Sequence, residues 1–530
     1  MDEVDYIIVG GGSTGCVIAG RLSETPDCTV ALLEEGPRDR SPWIHIPGAY
    51  YKTAQGDLLK RYPWEPGGIR NYPDHPTMVQ AAVLGGGSSV NAMIYIRGNP
   101  ADYDGWKERG AIGWGYEDVL PYFRKAEDNN RLSGPVHGTD GPLKVSDIDN
   151  VHPLSRAWIL ACQDMGLPFN PDFNSGEQSG TGLYQITARG RRRSSSAVAY
   201  VHPARKRANF SLLDRAGARR IIVERGRAIG VEYVRAGKSR TLRARREVIL
   251  SAGAIATPKL LMLSGIGPAV HLAQHGIACV QDLPGVGQNL QDHIEISLVY
   301  QLNGPHSYDR YKKLHWKAMA GLEYLLFGGG PATSNLIEAG AFWWGDRSEA
   351  LPDCQFFLVC GAGIEEGVDG VPGGNGCTVN LGQIRPKSRG EVLLSSADPT
   401  SHPRIRPNYF ANSGDLEAIT EGTMFAMEVM ERPAIRRFVE RRHLPEDRVM
   451  SRKEVRAFCQ TQAHAALHPA GTSRMGSDEM AVVDPHLRVH GIEGLRVADA
   501  SVMPTLISGN PNAVCIMIGE KVSDMIKVGR

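Results

Sequence analysis

Residues 5–22, "DYIIVGGGSTGCVIAGRL", join a short apolar run to a second apolar run through closely spaced glycines. Gly10, Gly12 and Gly15 fit the GxGxxG spacing. In that pattern the first glycine allows a tight turn, the second lets backbone approach a pyrophosphate, and the third allows close helix–strand packing. The helix that follows would offer free N–H groups and the positive end of its dipole to a phosphate. The stretch predicts a strand, a glycine turn and a helix that bind a dinucleotide. The alternative is a glycine turn without a ligand.

A second apolar strand supports the dinucleotide interpretation. Residues 29–36, "TVALLEEG", end in Glu34, 19 residues after Gly15. An acid at this place binds the ribose 2′-hydroxyl and disfavours the 2′-phosphate of NADP. The neighbouring Glu35 is the alternative acid, although a solvated loop charge would look the same. This motif leaves NAD and FAD both open.

Composition narrows the class of protein. The chain has 530 residues, is 42% hydrophobic and carries a net charge of +1, which is ordinary for a soluble globular protein and gives no global field for nucleic acid. Its nine cysteines are scattered without a CxxC pair, which favours a reducing compartment over disulfides or zinc. We find no secretory signal pattern and no apolar run of about 18 residues, so we expect a cytoplasmic protein without a transmembrane segment.

Further glycine-rich or small-residue stretches lie far along the chain. Residues 83–98, "VLGGGSSVNAMIYIRG", hold three consecutive glycines, and residues 253–267, "GAIATPKLLMLSGIG", follow the strand pattern "REVILSA". Residues 495–504, "LRVADASVMP", place small residues after another β-type run. A nucleotide-binding core assembled from such distant pieces predicts interleaved domains.

These motifs together resemble the glucose–methanol–choline (GMC) oxidoreductases, most of which depend on FAD. The resemblance is carried by "LGGGSSVNAMIY", "GAIATPKLLMLSGIG", "RPKSRGEVLL", "LHPAGTSRMG" and "DASVMPTLISGNPNAV", in family order and over the whole chain. Within the family the chain is most similar to bacterial L-sorbose dehydrogenase and the acceptor-dependent alcohol dehydrogenases. Residues 311–344 indicate the sorbose type.

The resemblance implies an α/β fold of two domains. A Rossmann-like FAD-binding domain would comprise residues 1–150, 200–300 and 470–530. A substrate domain, built on an antiparallel sheet with helices, would comprise residues 151–199 and 301–469.

The resemblance also implies which residues hold the cofactor. Backbone at residues 91–94 would lie against the isoalloxazine, Asp499 and Ala500 would meet the ribityl-pyrophosphate, and Ala218 would lie near the adenine. The full implied set is Gly10, Gly12, Ser13, Thr14, Gly15, Glu34, Trp64, Leu84, Gly86, Asn91, Ala92, Met93, Ile94, Ala218, Ala252, Gly253, Asp499 and Ala500.

Three positions depart from the family pattern. Ala82 stands where members usually carry Arg or Lys, which predicts weaker support for the flavin or its loop. Val90 stands where covalently flavinylated members place a linking histidine, so we expect non-covalent FAD. Leu467 stands where relatives often have Tyr or Trp, which predicts an altered wall of the substrate pocket.

His468 is the candidate catalytic base. A metal site with His464 is not expected, because no HExxH motif is present and Pro469 ends any helix there. Oxidation of an alcohol needs a base for the hydroxyl proton, and imidazole is largely neutral near pH 7. The resemblance implies that His468 is this base and that Asn512 orients the substrate oxygen. Asn510 fits a turn residue.

The sequence therefore predicts FAD-dependent oxidation of an alcohol, a primary alcohol or a polyol hydroxymethyl group, to an aldehyde or ketone. Hydride passes to the flavin, and electrons go on to an acceptor such as a quinone. An oxidase that uses O₂, a hydroxynitrile lyase and a non-catalytic flavin protein are the alternatives.

Other features carry weaker predictions. The cluster "RGRRRSSS", residues 189–196, fits a loop or phosphate contact better than a nucleic-acid site. Ser473 lacks the GxSxG elbow of a serine hydrolase. The glycine-rich loop 361–376 is predicted to be mobile and to gate the pocket. A set of aromatic residues is predicted either to line the pocket or to pack in the core: Trp316, Tyr324, Phe342, Trp343 and Trp344.

Overall fold

The computed structural model describes residues 2–65, 77–364, 368 and 370–529. The fold is mixed α/β, as predicted, with two large sheets and helices packed against them. Part of the loop predicted to gate the pocket, residues 365–367 and 369, lies outside the described residues.

The first sheet is built on a parallel core that the apolar runs form. Its strands, in spatial order, are Phe210–Asp214, Val30–Glu34, Glu3–Val9, Lys238–Leu250, Arg227–Arg235 and Ala216–Glu224, and the short strand Leu495–Val497 also pairs with Lys238–Leu250. The strand Val30–Glu34 is buried at every residue, which is typical of a parallel strand covered on both faces. The last two strands in this order form an antiparallel hairpin beside the core.

The second sheet is antiparallel and uses the middle of the chain. Its strands, in spatial order, are Val439–Leu444, Ile294–Leu302, Gly376–Gln383, Cys354–Val359, Ile337–Trp343 and Gly180–Leu183, and the short strand His464–Ala465 also pairs with Ile294–Leu302. The strand Ile294–Leu302 crosses residue 300, where the sequence prediction drew a domain boundary. The predicted domain bounds stay a prediction.

Helices cover both sheets. The longer ones are Ser13–Leu22, Pro100–Glu108, Tyr116–Ala126, Pro153–Asp164, Gly253–Leu263, Leu314–Phe327, Ser413–Met430, Arg452–Gln462 and Asn512–Lys527. Short helices are Pro42–His45, Tyr50–Ala54, His202–Ala204, Ala269–Gln274 and Pro433–Arg436, with 3₁₀ turns at Pro47–Ala49, Gly86–Ser89, Tyr308–Lys312, Pro331–Thr333 and Ala500–Val502 and a π turn at Ala197–Val201. Two-stranded ribbons pair Leu59–Pro63 with Thr77–Ala81, Glu127–Asn129 with Leu143–Val145, Ala188–Arg189 with Arg192–Arg193, Ile266–Gly267 with Gln281–Asp282, and Glu391–Leu393 with Arg404–Arg406.

Each sheet has its own hydrophobic core. Helices Ser13–Leu22 and Asn512–Lys527 pack on each other in the core of the first sheet. Helices Pro153–Asp164 and Ser413–Met430 pack on the second sheet. Within the described ranges no helix is long and apolar enough to cross a membrane. All nine cysteines are free thiols.

Candidate active site

The carboxyl ends of the parallel strands of the first sheet build one side of a cleft. Strands that run parallel end at the same edge of a sheet, and ligands of open α/β sheets bind beyond that edge. The loops that follow Val9, Glu34, Leu250 and Val497 all reach this edge and line a cleft of about 970 Å³.

Three glycines let backbone pack directly on backbone at this edge. Gly10 has φ +102°, and a Cβ on it would lie 2.4 Å from the Ser251 carbonyl oxygen. A Cβ on Gly15 would lie 2.0 Å from the Gly10 oxygen, and one on Gly86 2.7 Å from the Gly12 Cα. No side chain fits at these contacts, so the start of helix Ser13–Leu22 stays open to the cleft.

Two buried carboxylates hold the loops around this cradle. Glu34 accepts hydrogen bonds from the backbone N–H groups of Gly11 at 2.8 Å and Gly36 at 2.7 Å. Asp499 accepts from the Gly253 N–H at 2.8 Å and the Thr257 hydroxyl at 2.6 Å. Burial raises the pKa of both carboxyls. Each carboxylate has lone pairs to spare for a ligand hydroxyl.

The structure brings most of the predicted cofactor residues to this cleft. All of them line it except Gly15 and Leu84, and both predicted catalytic residues line it too. Gly15 lies behind the wall, against Gly10. Leu84 is fully buried beneath Gly11. The cleft can therefore hold an extended adenine dinucleotide, with Val90 and Ala82 also on its wall.

His468 lies on the opposite wall, where strand pairing of the second sheet places it. Glu295 pairs with His464, and the Ala466 N–H donates to the His293 oxygen at 3.0 Å, so the chain that reaches His468 runs beside His293. The His468 backbone N–H donates to Asp292 Oδ1 at 2.7 Å. Asp292 is buried, and burial raises its pKa to about 7.

A histidine pair fixes the tautomer of His468. His293 Nε2 lies 3.1 Å from the Ile507 carbonyl oxygen, which can only accept, so Nε2 carries the hydrogen. Burial and the neighbouring His468 hold the pKa of His293 well below its usual range, so His293 is neutral and its Nδ1 is an acceptor. His468 Nδ1, 3.0 Å away, must then donate to it. The lone pair of His468 is left on Nε2, and burial lowers the pKa of His468 to about 4.

Both asparagines of the "NPN" sequence reach this site. Asn510 Oδ1 accepts from Gln355 Nε2 at 3.2 Å, which turns Asn510 Nδ2 toward His468 Nε2, 3.4 Å away. Asn512 Oδ1 accepts from the Ser13 hydroxyl at 2.9 Å, and its Nδ2 has no hydrogen-bond partner among the described residues. Sequence reasoning gave Asn510 a turn role only, because its approach to His468 depends on Gln355 in the second sheet.

Sequence reasoning also missed two charged residues of the site. Arg193 is buried and donates to Asn91 Oδ1 at 2.8 Å and to the Ser88 oxygen at 3.2 Å, so it holds the loop predicted to meet the flavin. Burial lowers the pKa of Arg193 to about 9. Glu295 lines the cleft as a buried carboxylate, 3.5 Å from His464 Nε2. The one signal for Glu295 in the sequence was the alternation of apolar and polar residues at the start of strand Ile294–Leu302.

The predicted aromatic set does not line the cleft. Phe342 is fully buried in the second core, and Trp343 stacks on Phe425 with ring centroids 4.2 Å apart. Trp316 and Tyr324 lie on the outer helix Leu314–Phe327. The pocket interpretation is therefore wrong for this set. Among the residues that the structure describes, the Tyr, Trp and Phe side chains that line the cleft are Tyr50, Tyr62, Trp64 and Phe357.

Family profiles and individual relatives indicate the same protein family for this chain. Sequence profiles described as GMC oxidoreductase match residues 4–295 and 386–519. The mitochondrial choline dehydrogenase of Homo sapiens is 42% identical over 546 residues, covering 99% of this chain and 90% of that protein. The acceptor-type alcohol dehydrogenase of Pseudomonas putida is 38% identical, covering 98% of this chain and 95% of that protein.

Solved structures agree with the sequence relatives. A formate oxidase variant of Aspergillus oryzae, described in terms of its FAD modification, superposes with a TM-score of 0.93 at 30% identity. The match covers 100% of this chain and 99% of that chain.

The neighbouring glycines 86 and 87 offer a matched test of the cradle. We expect Gly86→Ala to lower the free energy of unfolding of the cofactor-stripped protein by about 2 kcal/mol or more, because φ is +53° and the new Cβ would meet backbone. Gly87→Ala, whose Cβ meets nothing within 4 Å, should change it by less than about 0.5 kcal/mol. Chemical denaturation measures both. Equal losses for the two variants would contradict the cradle.

Proposed function

The chain belongs to the GMC oxidoreductase family, and we propose that within it the protein is an FAD-dependent dehydrogenase of primary alcohols, with His468 as the general base. The observation that carries this proposal is the hydrogen-bond chain from the Ile507 carbonyl through His293 to His468 Nδ1, which leaves the lone pair of this cleft-lining histidine on Nε2, beside the Asn510 amide. Relatives of the chain are named choline dehydrogenase and alcohol dehydrogenase, and a structural neighbour described in terms of its FAD is named formate oxidase.

FAD is the family's cofactor, and the residues of the cleft fit it. The glycine cradle and the open helix start suit the pyrophosphate, and Glu34 suits the ribose hydroxyls. Val90 offers no nucleophile for a covalent link, so we propose that FAD is held non-covalently. When bound, FAD supplies the acceptor for the hydride that leaves the substrate carbon.

His468 and the two asparagines supply the proton acceptor and the hydrogen-bond donors for the substrate hydroxyl group. His468 Nε2 accepts the hydroxyl proton, while the N–H donated to His293 keeps the imidazole in the tautomer that can do so. The Asn510 amide lies beside the same nitrogen and can donate to the substrate oxygen. Asn512 also lines the cleft, and its Nδ2, which has no hydrogen-bond partner among the described residues, gives a second donor there, which supports its predicted role.

The walls of the cleft support a primary alcohol with an apolar part. Ile337, Phe357 and the half-exposed Leu467 line it on the side of the second sheet. A more specific form of this proposal is that the substrate is a polyol, oxidised at a hydroxymethyl group as in the sorbose-type enzymes. We propose a quinone as electron acceptor, in keeping with the acceptor-type name of the Pseudomonas putida relative. Admission of air to the reduced enzyme distinguishes a quinone-dependent dehydrogenase from an oxidase, because only an oxidase is reoxidised rapidly by O₂.

A cationic alcohol such as choline is the second candidate, and one observation favours it. Glu295 places a buried carboxylate on the cleft wall, where it can neutralise an ammonium group. Relatives of the chain are named choline dehydrogenases. Against it, Leu467 removes an aromatic ring from the wall, and quaternary ammonium groups are recognised by aromatic faces.

The base assignment predicts a large kinetic effect. His468→Ala should slow anaerobic flavin reduction by a primary alcohol by about 100-fold or more, because the hydroxyl proton loses its acceptor. Stopped-flow absorbance at the flavin band measures the rate. His464→Ala, which changes another histidine on the same wall, should cost less than about tenfold. If both variants slow equally, or if neither does, His468 is not the base.

Cleavage of a cyanohydrin without flavin reduction would favour the lyase.

The two substrate candidates differ at Glu295. For a cationic substrate, Glu295→Gln should raise KM for choline by about tenfold or more and leave KM for a neutral primary alcohol of similar size unchanged. Steady-state kinetics with a dye acceptor measures both. Leu467→Tyr is the complementary variant and should improve choline relative to the neutral alcohol. Equal effects of Glu295→Gln on both substrates would remove the choline candidate.

A further inference from the structure

The helix Leu314–Phe327 is apolar on a surface that faces solvent. Six of its side chains are large, hydrophobic and exposed, from 57% to 82%: Leu314, Met319, Leu322, Leu325, Leu326 and Phe327. No other helix of the described ranges has more than one large hydrophobic side chain this exposed. Only Ala320 of this helix is buried. Such a concentration marks an interaction surface, because single exposed hydrophobic residues are ordinary and contiguous ones are not.

The helix is attached to the protein along one side only. Trp316 packs against Tyr311 with ring centroids 6.2 Å apart. The Tyr324 hydroxyl donates to the Arg191 oxygen at 2.7 Å. Because residues four apart lie on one side of a helix, these contacts and Ala320 form an inner seam, and the leucines lie outside it.

Basic side chains surround the apolar helix. Lys313 and Lys317 are exposed on the helix or at its start, and Arg191 and Arg192 are exposed on the adjoining hairpin. Lys52, in the short helix Tyr50–Ala54, lies over the ring of Trp43, 3.3 Å from its centroid. Burial and the charge of Lys317 lower the pKa of Lys52. The exposed acid of the helix is Glu323.

We call residues 314–327 and their basic rim the apolar helix surface. We propose that this surface docks on an anionic lipid bilayer. Apolar side chains with a rim of Lys and Arg are the chemistry of helices that lie in the membrane interface. At 14 residues the helix is about 21 Å long, too short to span the roughly 30 Å hydrocarbon core. A second copy of the chain is a poorer occupant, because two basic rims would face each other.

Docking in this way brings the cleft close to the membrane. The turn Pro331–Thr333, just after the helix, packs on Pro47–Ala49, and Ala332 lies 3.0 Å from the place of a Cβ on Gly48. Tyr50 follows directly and lines the cleft. The lipid-facing surface and the cleft thus share a short connecting segment. The proposal itself rests on the helix and its rim and not on which alcohol or acceptor the enzyme uses.

Vesicle flotation of the FAD-loaded full chain tests the proposal. The probes are vesicles of phosphatidylcholine alone and of phosphatidylcholine with phosphatidylglycerol. The test variant is Leu325→Gln/Leu326→Gln/Phe327→Gln, and its matched control is Ile112→Gln/Val270→Gln/Val449→Gln, which changes three equally exposed residues elsewhere. The charge variant is Lys313→Glu/Lys317→Glu, with Arg225→Glu/Lys238→Glu as its control.

We expect the wild type and both controls to float with the anionic vesicles. The triple variant should bind the anionic vesicles at least about tenfold more weakly than the wild type. The charge variant should lose its preference for vesicles that contain phosphatidylglycerol. Turnover with a soluble dye acceptor should be unchanged in all of them, which reports intact folding. Absence of wild-type binding, or binding of the triple variant equal to its control, would overturn the proposal. So would a dimer, seen by sedimentation, that the triple variant disperses without any vesicle binding.

Discussion

Backbone packed on backbone without an intervening Cβ is the constraint on which the cleft depends. Gly10 against Ser251 and Gly86 against Gly12 bring together segments that are far apart in the chain, and Gly15 against Gly10 closes the turn between strand and helix. Each contact is closer than any side chain allows, so these positions accept no other residue without a shift of the loops. The parallel strands then end at one edge, with helix amides and two buried carboxylates directed at the same space.

The chemistry on the other wall depends on strand register. Because Glu295 pairs with His464, the segment that follows brings His468 within hydrogen-bond distance of His293. His293 in turn is held by the Ile507 carbonyl, close to the two asparagines. One chain of hydrogen bonds thus runs from the Ile507 carbonyl through the imidazole of His293 to His468, the proposed base. Burial keeps the imidazole of His468 neutral, and so able to accept a proton, over most of the working pH range, although it also makes His468 a weaker base.

The sequence was most informative where a motif is local. GxGxxG, the acid Glu34 and the strand–helix pattern before Gly253 depend on neighbours a few residues away, and the structure brings them to one cleft. His293, Asn510 and Arg193 could not be found this way, because their roles come from pairing between segments more than 40 residues apart. The aromatic set failed for the same reason: whether a ring faces a cleft, a core or solvent is decided by packing. The sorbose-type resemblance stays a prediction, beside relatives named for choline and for alcohols in general.

The pH dependence of anaerobic flavin reduction by a saturating primary alcohol is the first measurement to make on His468 as the general base. Since burial lowers the pKa of His468 to about 4, the imidazole stays unprotonated down to acidic pH. If His468 is the base, the rate stays constant from about pH 9 to about pH 5 and falls below that, as His468 takes up a proton. An inflection near pH 7 that disappears in Asp292→Asn would belong to Asp292. A wild-type rate that falls with a midpoint near the ordinary imidazole value of about 6.5, in Asp292→Asn as well, would contradict the account.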